Sequence, residues 1–435
     1  MNRQFYEIWP LIVPAGESSK IFIKPKFKHA SWERNKLTKI NYIRDDSADF
    51  SGLCPKWNTY DEIKDFKISN GTLILEVFFD GENEHSFKLI GENKFEKEAE
   101  LLNFNIFSAK PDLFKLRPFK GDIHLHSFYS DGNQSPAYIA ASCRKIGYDF
   151  IAITDHHLYE PSLEAIDFMK AYDADIACYP GEEVHTPQDS EANPHIINFG
   201  GNFSVNSLVR DQNNYEKAIE EYTSKMPETE FENSKTSLAF AEWAFDRIRE
   251  AGGLSVYSHP YWRAHGRYLV NSELNELMYQ RQKFDALEIV GGFTRKIMEA
   301  NTLAISRWNQ AQSNDRQIPV VGVSDAHSCH HDLFGWYFTI VFAENVGLDS
   351  LISAIKDSRS IAVEAVPGEF PRYYGDFRLL RYAHFLRREY WTQHDRLCHE
   401  EGEALLNCLA GENSAREKLT LMKGQVHKYQ NKCWK

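Results

Sequence analysis

From residue 121 the chain reads Gly121-Asp122-Ile123-His124-Leu125-His126-Ser127, and further on Asp149-Phe150-Ile151-Ala152-Ile153-Thr154-Asp155-His156. Each stretch carries apolar residues up to a histidine, His126 in the first and His156 in the second. Between them Ser135 is a good helix N-cap, Pro136 suits a first helical turn, and Gly147 marks a stop, so the order is strand, helix, strand. Working outward, the pattern repeats. Apolar strands are expected at 175–179, 195–199, 254–257, 285–290 and 318–323, with a helix over 239–251 that ends at Gly252-Gly253. Counting 121–126 and 149–154, that makes seven strands. Their alternation with helices predicts an α/β fold with a parallel sheet able to close into a barrel.

Upstream, residues 20–110 read as β-rich. The run Thr72-Leu73-Ile74-Leu75-Glu76-Val77-Phe78-Phe79, a turn at Asp80-Gly81 and the run Ser86-Phe87-Lys88-Leu89-Ile90 together give a hairpin signal. A small β-sandwich is expected there. Beyond Pro371 come charged and aromatic helix formers such as Phe377-Arg378-Leu379-Leu380-Arg381-Tyr382, read as a helical tail. The expected division is therefore a β-rich domain at 1–115, the barrel at 116–370 and a helical extension at 371–435. The polar stretch 202–236 is longer than a usual connection and is expected to be a lid or an insertion.

Composition narrows the function classes. The 435 residues exceed one ordinary core but suit a barrel plus a smaller domain, and 42% hydrophobic residues supply the interior. A formal net charge of −12 argues against a broad nucleic-acid-binding surface, though a local basic pocket could hold a small phosphorylated ligand. The arginines of the tail (Arg378, Arg381, Arg387 and Arg388) are the residues that keep nucleic acid in view. Seven scattered cysteines without a Cys-x-x-Cys pair point to reduced thiols and a cytoplasmic protein. No signal peptide or membrane span is expected, since the first apolar run is short and broken by Pro10 and Pro14.

Histidines and carboxylates recur where these strands end. In His124-Leu125-His126 the period-2 geometry of a strand turns both imidazoles to one side, and Asp325-Ala326-His327 repeats the spacing after the last strand. Between them lie Asp131, His156, Glu183, His195 and His259. The carboxyl ends of parallel barrel strands open onto one face, so these distant residues would converge. Any one histidine is more simply a buried or surface residue. Nine such residues at strand exits are costly to desolvate together unless they bind something. Imidazole and carboxylate suit Zn, Mn or Fe better than Mg.

Taken in order, Gly121-Asp122-Ile123-His124-Leu125-His126-Ser127 with Ser130-Asp131-Gly132, then Ile153-Thr154-Asp155-His156, Gly181-Glu182-Glu183-Val184, His195, Ser258-His259-Pro260 and Ser324-Asp325-Ala326-His327-Ser328 resemble the motifs of the PHP (polymerase and histidinol phosphatase) superfamily. The resemblance spans about 119–364 and implies a distorted seven-stranded barrel holding three divalent ions, usually a phosphoesterase. It implies one ion on His124, His126, Glu183 and Asp325, a second on Glu183, His195 and His259, and a third on Asp131, His156 and His327. Glu183 would bridge the first two. The leading segment Leu116-Arg117-Pro118-Phe119-Lys120 resembles the branch in which a β-domain precedes the barrel, which includes a carbaryl-hydrolysing esterase.

Metal chemistry then supplies the expected mechanism: a hydroxide bridging two ions attacks the ester, because the ions lower the pKa of water. Glu183 and Asp325 are the catalytic carboxylates. Arg263 and Arg295 are candidate phosphate clamps, equally well read as solvated surface cations. His157, His265, His330 and His331 also lie near motif ends, without an assigned role. The expected substrate is a small phosphate ester. A carbamate or ester is the alternative for the same centre, and nucleotide ends are possible but not favoured. The histidine and carboxylate convergence predicts that protein purified without chelator holds more than one equivalent of Zn, Mn or Fe by elemental analysis. Full activity of metal-free protein would contradict it.

Overall fold

The computed structural model describes residues 2–46, 60–187, 193–264, 266–312 and 317–434. Cys54 and His265 lie outside them. Packing divides the chain into two compact units. One comprises Met1–Leu116, Arg381–His394 and Gly424–Lys435; the other comprises Arg117–Leu380 and Asp395–Lys423.

The first unit holds two sheets. One orders its strands Tyr6–Trp9, Glu17–Pro25, Thr72–Phe79 and Phe66–Ser69; the other orders Ile12–Pro14, Ala99–Ala109, Asn83–Glu92, Lys36–Arg44 and Asp61–Glu62. The expected hairpin is corrected. Thr72–Phe79 pairs with Glu17–Pro25 and Phe66–Ser69, whereas Asn83–Glu92 pairs with Lys36–Arg44 and Ala99–Ala109. Both strands bury alternate residues. The turn at 80–82 carries the chain from one sheet to the other, so their apolar faces meet, with Phe79 and Phe87 ring centroids 6.4 Å apart. Strand alternation identifies a buried face but does not say which strand pairs beside it. Phe87 also stacks on Phe104 at 4.9 Å. The returning helical segment packs Tyr382 and Phe385 on Phe107, at 4.7 and 5.4 Å.

The second unit is a mixed α/β fold. Strands overlap all seven expected runs, at Arg117–Asp122, Phe150–Ala152, Ala177–Tyr179, Ile196–Phe199, Leu254–Tyr257, Ala286–Gly291 and Val320–Val323, but the first was expected at 121–126 and ends at Asp122, so His124 and His126 lie just beyond it. They are not all parallel. Gly181–Val184, Ile196–Phe199 and Leu254–Tyr257 pair antiparallel in succession. Only residues 185–195 separate Gly181–Val184 from Ile196–Phe199, a span shorter than the crossover of a dozen or more residues that a parallel return ordinarily needs. Tyr337–Ala343, not anticipated as a strand, inserts antiparallel between Arg117–Asp122 and Ser360–Glu364. The six-stranded and five-stranded sheets of this unit are linked by single bridges, Leu125 to Ala326 and His156 to Glu183. Both bridges fall among the motif residues.

Local signals act as read. The Ser135 hydroxyl accepts from Tyr138 N at 3.3 Å and starts helix Pro136–Lys145. The polar stretch 202–236 is folded: it forms Val205–Arg210, Gln212–Ser224 and the start of Glu232–Glu250. Tyr215 and Ile219 face inward, Tyr215 meeting Trp243 edge-on at 5.3 Å. Among the described residues no helix is long and apolar enough to cross a membrane, and the described cysteines are free thiols.

The C-terminal helices do not form a separate body; residues of the extension are shared between the units. Within the second unit, Glu401 of helix Trp391–Leu409 faces Arg144, a guanidinium with no solvent exposure. Arg144 Nε donates to Glu401 at 2.6 Å and its Nη1 to Tyr148 O at 3.1 Å. The other Glu401 oxygen accepts from Asp175 N at 2.7 Å. Helix and chain approach so closely that a Cβ on Gly402 would sit 2.3 Å from Lys145 N. Removing Glu401 leaves the buried cation only the longer pairing of its Nη1 with Asp149 at 3.5 Å, whereas Glu403 meets Lys145 in partly exposed surroundings. Glu401→Ala should therefore cost about 3–5 kcal/mol in denaturant unfolding, against less than about 1 kcal/mol for Glu403→Ala. Equal effects would mean that Arg144 is satisfied without Glu401.

Candidate metal centre

The site is built around one strand. Gly181–Val184 continues into His185, and alternation sends Glu182 and Val184 to one side, Glu183 and His185 to the other. Glu182 is fully buried. It accepts from Asn198 Nδ2 at 2.9 Å, Ser204 Oγ at 2.7 Å, Val205 N at 2.6 Å and Asn206 N at 3.2 Å. A carboxylate bonded to the first N–H groups of helix Val205–Arg210 fixes where that helix begins.

Glu183 is equally buried but meets imidazoles. His195 Nδ1 lies 2.8 Å and His259 Nε2 3.5 Å from Oε1; His156 Nδ1 at 2.8 Å, His124 Nε2 and His126 Nε2 at 3.4 Å, and His185 Nε2 at 3.6 Å surround Oε2. These are close approaches rather than aligned hydrogen bonds. Both Glu183 oxygens, His124 Nε2, both His126 nitrogens and His195 Nδ1 are buried without a hydrogen-bond partner. Native interiors rarely leave such groups unmet.

Around this core the remaining motif residues gather. Asp325 Oδ1 lies 3.0 Å from His126 Nε2 and 3.3 Å from His124 Nε2. Asp131 faces His327 Nε2 at 3.1 Å and His156 Nε2 at 3.5 Å. Ligand-type atoms lie within 4.8 Å of one another in the groups His126–Asp131–His156–His327, His124–His126–Asp325, His124–Glu183–His259 and His156–Glu183–His185. Nitrogen and carboxylate donors, with buried lone pairs unmet, fit divalent Zn, Mn or Fe.

Supporting groups hold these side chains. Glu288 Oε2 lies 3.2 Å from His124 Nδ1, which leaves Nε2 to face Glu183. Asp155 accepts from Ser127 N at 2.7 Å and Ser127 Oγ at 2.6 Å, pinning the loop that carries Asp131. That loop needs Gly132, where a Cβ would fall 2.2 Å from His126 O. Asp122 accepts from His124 N and Ser324 N, each at 3.2 Å, joining the first and last motif strands; burial raises its pKa to about 7. His259 and Asp325 have positive φ, 25° and 49°, a left-handed backbone that branched L-residues pay to adopt.

Electrostatics divides the rings. Burial opposes charge on Glu183, but His156, His195 and His124 outweigh it and hold the carboxyl well below its ordinary range. Burial likewise opposes His156, yet Glu183 and Asp131 carry it up to about 11. Burial and the neighbouring His185 push His195 down to about 3. The cage thus demands positive charge at some positions and excludes it at others.

The two arginines stand apart in their contacts. Arg263 pairs with Glu299 at 3.5 Å and lies over Tyr268. Arg295 pairs with Glu369 at 3.1 Å, donates to Pro367 O at 2.6 Å, and lines a cavity of about 700 Å³ with His330, His331 and Trp336. His157 has φ 60° and its ring lies 4.7 Å from that of His185. The sequence reading missed His185 and Glu288. The period-2 argument made for His124 and His126, applied to Glu183, would have found His185.

Residues 122–304 match the family model described as PHP domain, and the chain therefore carries a PHP domain. Over 53 residues it is 45% identical to the DNA polymerase/3'-5' exonuclease PolX of Bacillus subtilis, covering 12% of this chain and 9% of that protein. A two-domain protein from Bacteroides vulgatus containing a predicted PHP-like metal-dependent phosphoesterase is similar at 18% identity and TM-score 0.39, covering 58% of this chain and 66% of that one. An amidohydrolase from Chromobacterium violaceum is similar at 19% identity and TM-score 0.32, covering 48% and 87%.

The two adjacent glutamates give a paired test. Glu183→Gln should lower turnover by about two orders of magnitude or more, roughly 3 kcal/mol of transition-state stabilisation, and reduce bound metal. Glu182→Gln should retain metal and stay within about tenfold in turnover, while lowering the unfolding midpoint. Greater loss of metal from Glu182→Gln would reverse the assignment of the two faces.

Proposed function

We propose that this PHP domain is a metal-dependent phosphoesterase acting on a small phosphate ester. The observation that carries the reading is Glu183, a buried carboxylate facing six imidazoles with neither oxygen hydrogen-bonded. His124, His126, Glu183 and Asp325 would hold one ion, Glu183, His195 and His259 a second, and Asp131, His156 and His327 a third. Bound divalent ions supply Lewis acidity toward a phosphoryl oxygen and a lowered pKa for water. Glu183 is sealed from solvent, and its part is to hold charge between ligand groups. Asp131 and Asp325, whose side chains keep 55% and 19% of their exposure, are the carboxylates that entering solvent and substrate meet.

Arg295 is the cation we assign to substrate phosphate, since it lines a cavity with His330 and His331; Arg263 is the second candidate. The acidic net charge supports a small substrate over nucleic acid. Phosphate neutralisation requires cations that are available to the strand.

A panel on metal-loaded protein tests the proposal: nitrophenyl phosphate, bis-nitrophenyl phosphate, nucleotides, oligonucleotides and naphthyl carbamates. We expect cleavage of the small phosphate esters, with Arg295→Ala raising KM about tenfold and leaving kcat nearly unchanged. Preferential turnover of the carbamate would assign ester or carbamate hydrolysis to the same centre. Preferential degradation of oligonucleotides would assign a nuclease.

A further inference from the structure

His185 belongs to none of the three ligand sets named above, yet its position is as closely determined as theirs. Its backbone N–H donates to Asn206 Oδ1 at 3.2 Å, while Asn206 Nδ2 donates to Glu183 O at 2.9 Å. Asn206 therefore clamps both residues of the strand's inner face. The His185 ring is buried, with centroids 4.2 Å from His195 and 4.7 Å from His156. Its Nε2 shares a hydrogen bond with His156 Nδ1 at 2.8 Å and lies 3.6 Å from Glu183 Oε2. His156 presents its other nitrogen, Nε2, to Asp131. The Nδ1 side of His156, the unbonded Glu183 oxygen and His185 Nε2 thus enclose one point, with all three ligand atoms within 4.8 Å of one another.

We propose that His185 is a tenth ligand of the metal centre, binding a divalent transition-metal ion together with Glu183; the inference rests on the metal-dependent reading above. A neutral imidazole offers a single lone pair. An ion held at the Nδ1 face of His156 by Glu183 and His185 therefore competes with one held at Nε2 by Asp131 and His327. His185 decides which face of His156 is used, and so where in the cage an ion rests.

Cobalt(II) titration of the full-length chain tests this without reference to turnover. In His185→Cys the thiolate would replace imidazole as ligand, and a sulfur-to-cobalt charge-transfer absorption should appear that the wild type lacks. His185→Ala should weaken one binding step by about tenfold or more. Thermal unfolding of each variant shows whether it is folded, and His185→Gln provides a near-isosteric second variant. Absence of the charge-transfer band in folded His185→Cys overturns the proposal. So does wild-type affinity in His185→Gln, which would make His185 a hydrogen-bonding prop for His156. Wild-type protein that binds no cobalt would instead remove the metal-dependent reading itself.

Discussion

A carboxylate with no exposure and six imidazoles around it is the constraint on which the second unit depends. An unpaired buried carboxylate costs several kcal/mol even after relaxation. Hydrogen bonds would ordinarily offset that cost, but the imidazole nitrogens approach Glu183 without aligning to donate. Positive charge has to be present near Glu183, carried either by protons on the rings or by cations between them. The rings divide accordingly: His124 and His156 are shifted toward holding a proton, His126 and His195 away from it. Divalent ions meet the same demand with all rings neutral, and so satisfy every inward lone pair at once.

Holding that arrangement requires a second layer of buried carboxylates, each tied to a different part of the chain. Asp122 bonds the backbone at His124 and Ser324, Asp155 the loop after His126, Glu182 the helix after the Glu183 strand, and Glu288 the far side of His124. The positive φ at His259 and Asp325 adds strain of about 1–3 kcal/mol each. The surrounding core of Val256, Ala286, Val321 and Val341 is what makes such conformations tolerable. Stability is spent near the ligands and recovered in packing, which links the apolar strand runs to the chemistry at their ends.

That link explains what was legible in the sequence. Strand runs and their terminal ligands are local signals, so His124, His126, Asp325 and His327 could be read directly from spacing. The capped helix at Ser135-Pro136 was equally local. Pairing is not local. The run ending at Phe79 and the run containing Phe87 belong to different sheets because both apolar faces seek the same interior. The antiparallel course of Gly181–Val184 and Ile196–Phe199 depends on how the chain returns between them, and Tyr337–Ala343 lies past the last motif, where no ligand drew notice. Glu288 was hidden because its strand, Ala286–Gly291, shifts register between Glu288 and Val290, and simple alternation does not state which way it turns.

The Glu182–Glu183 pair shows how tightly these levels are coupled. Two identical side chains, adjacent in sequence and both fully buried, do opposite work because a strand alternates its faces. A slip of one residue would turn Glu182 toward the imidazoles and Glu183 to the opposite face. Chemically the carboxylates could exchange places; what forbids it is everything else on the strand. Val184, buried in the apolar core, would be turned toward the histidines, and His185 would be carried into the core. The register is therefore held by the cost of burying an imidazole without a partner and of wetting a valine. The position of the central ligand is a packing decision before it is an electrostatic one.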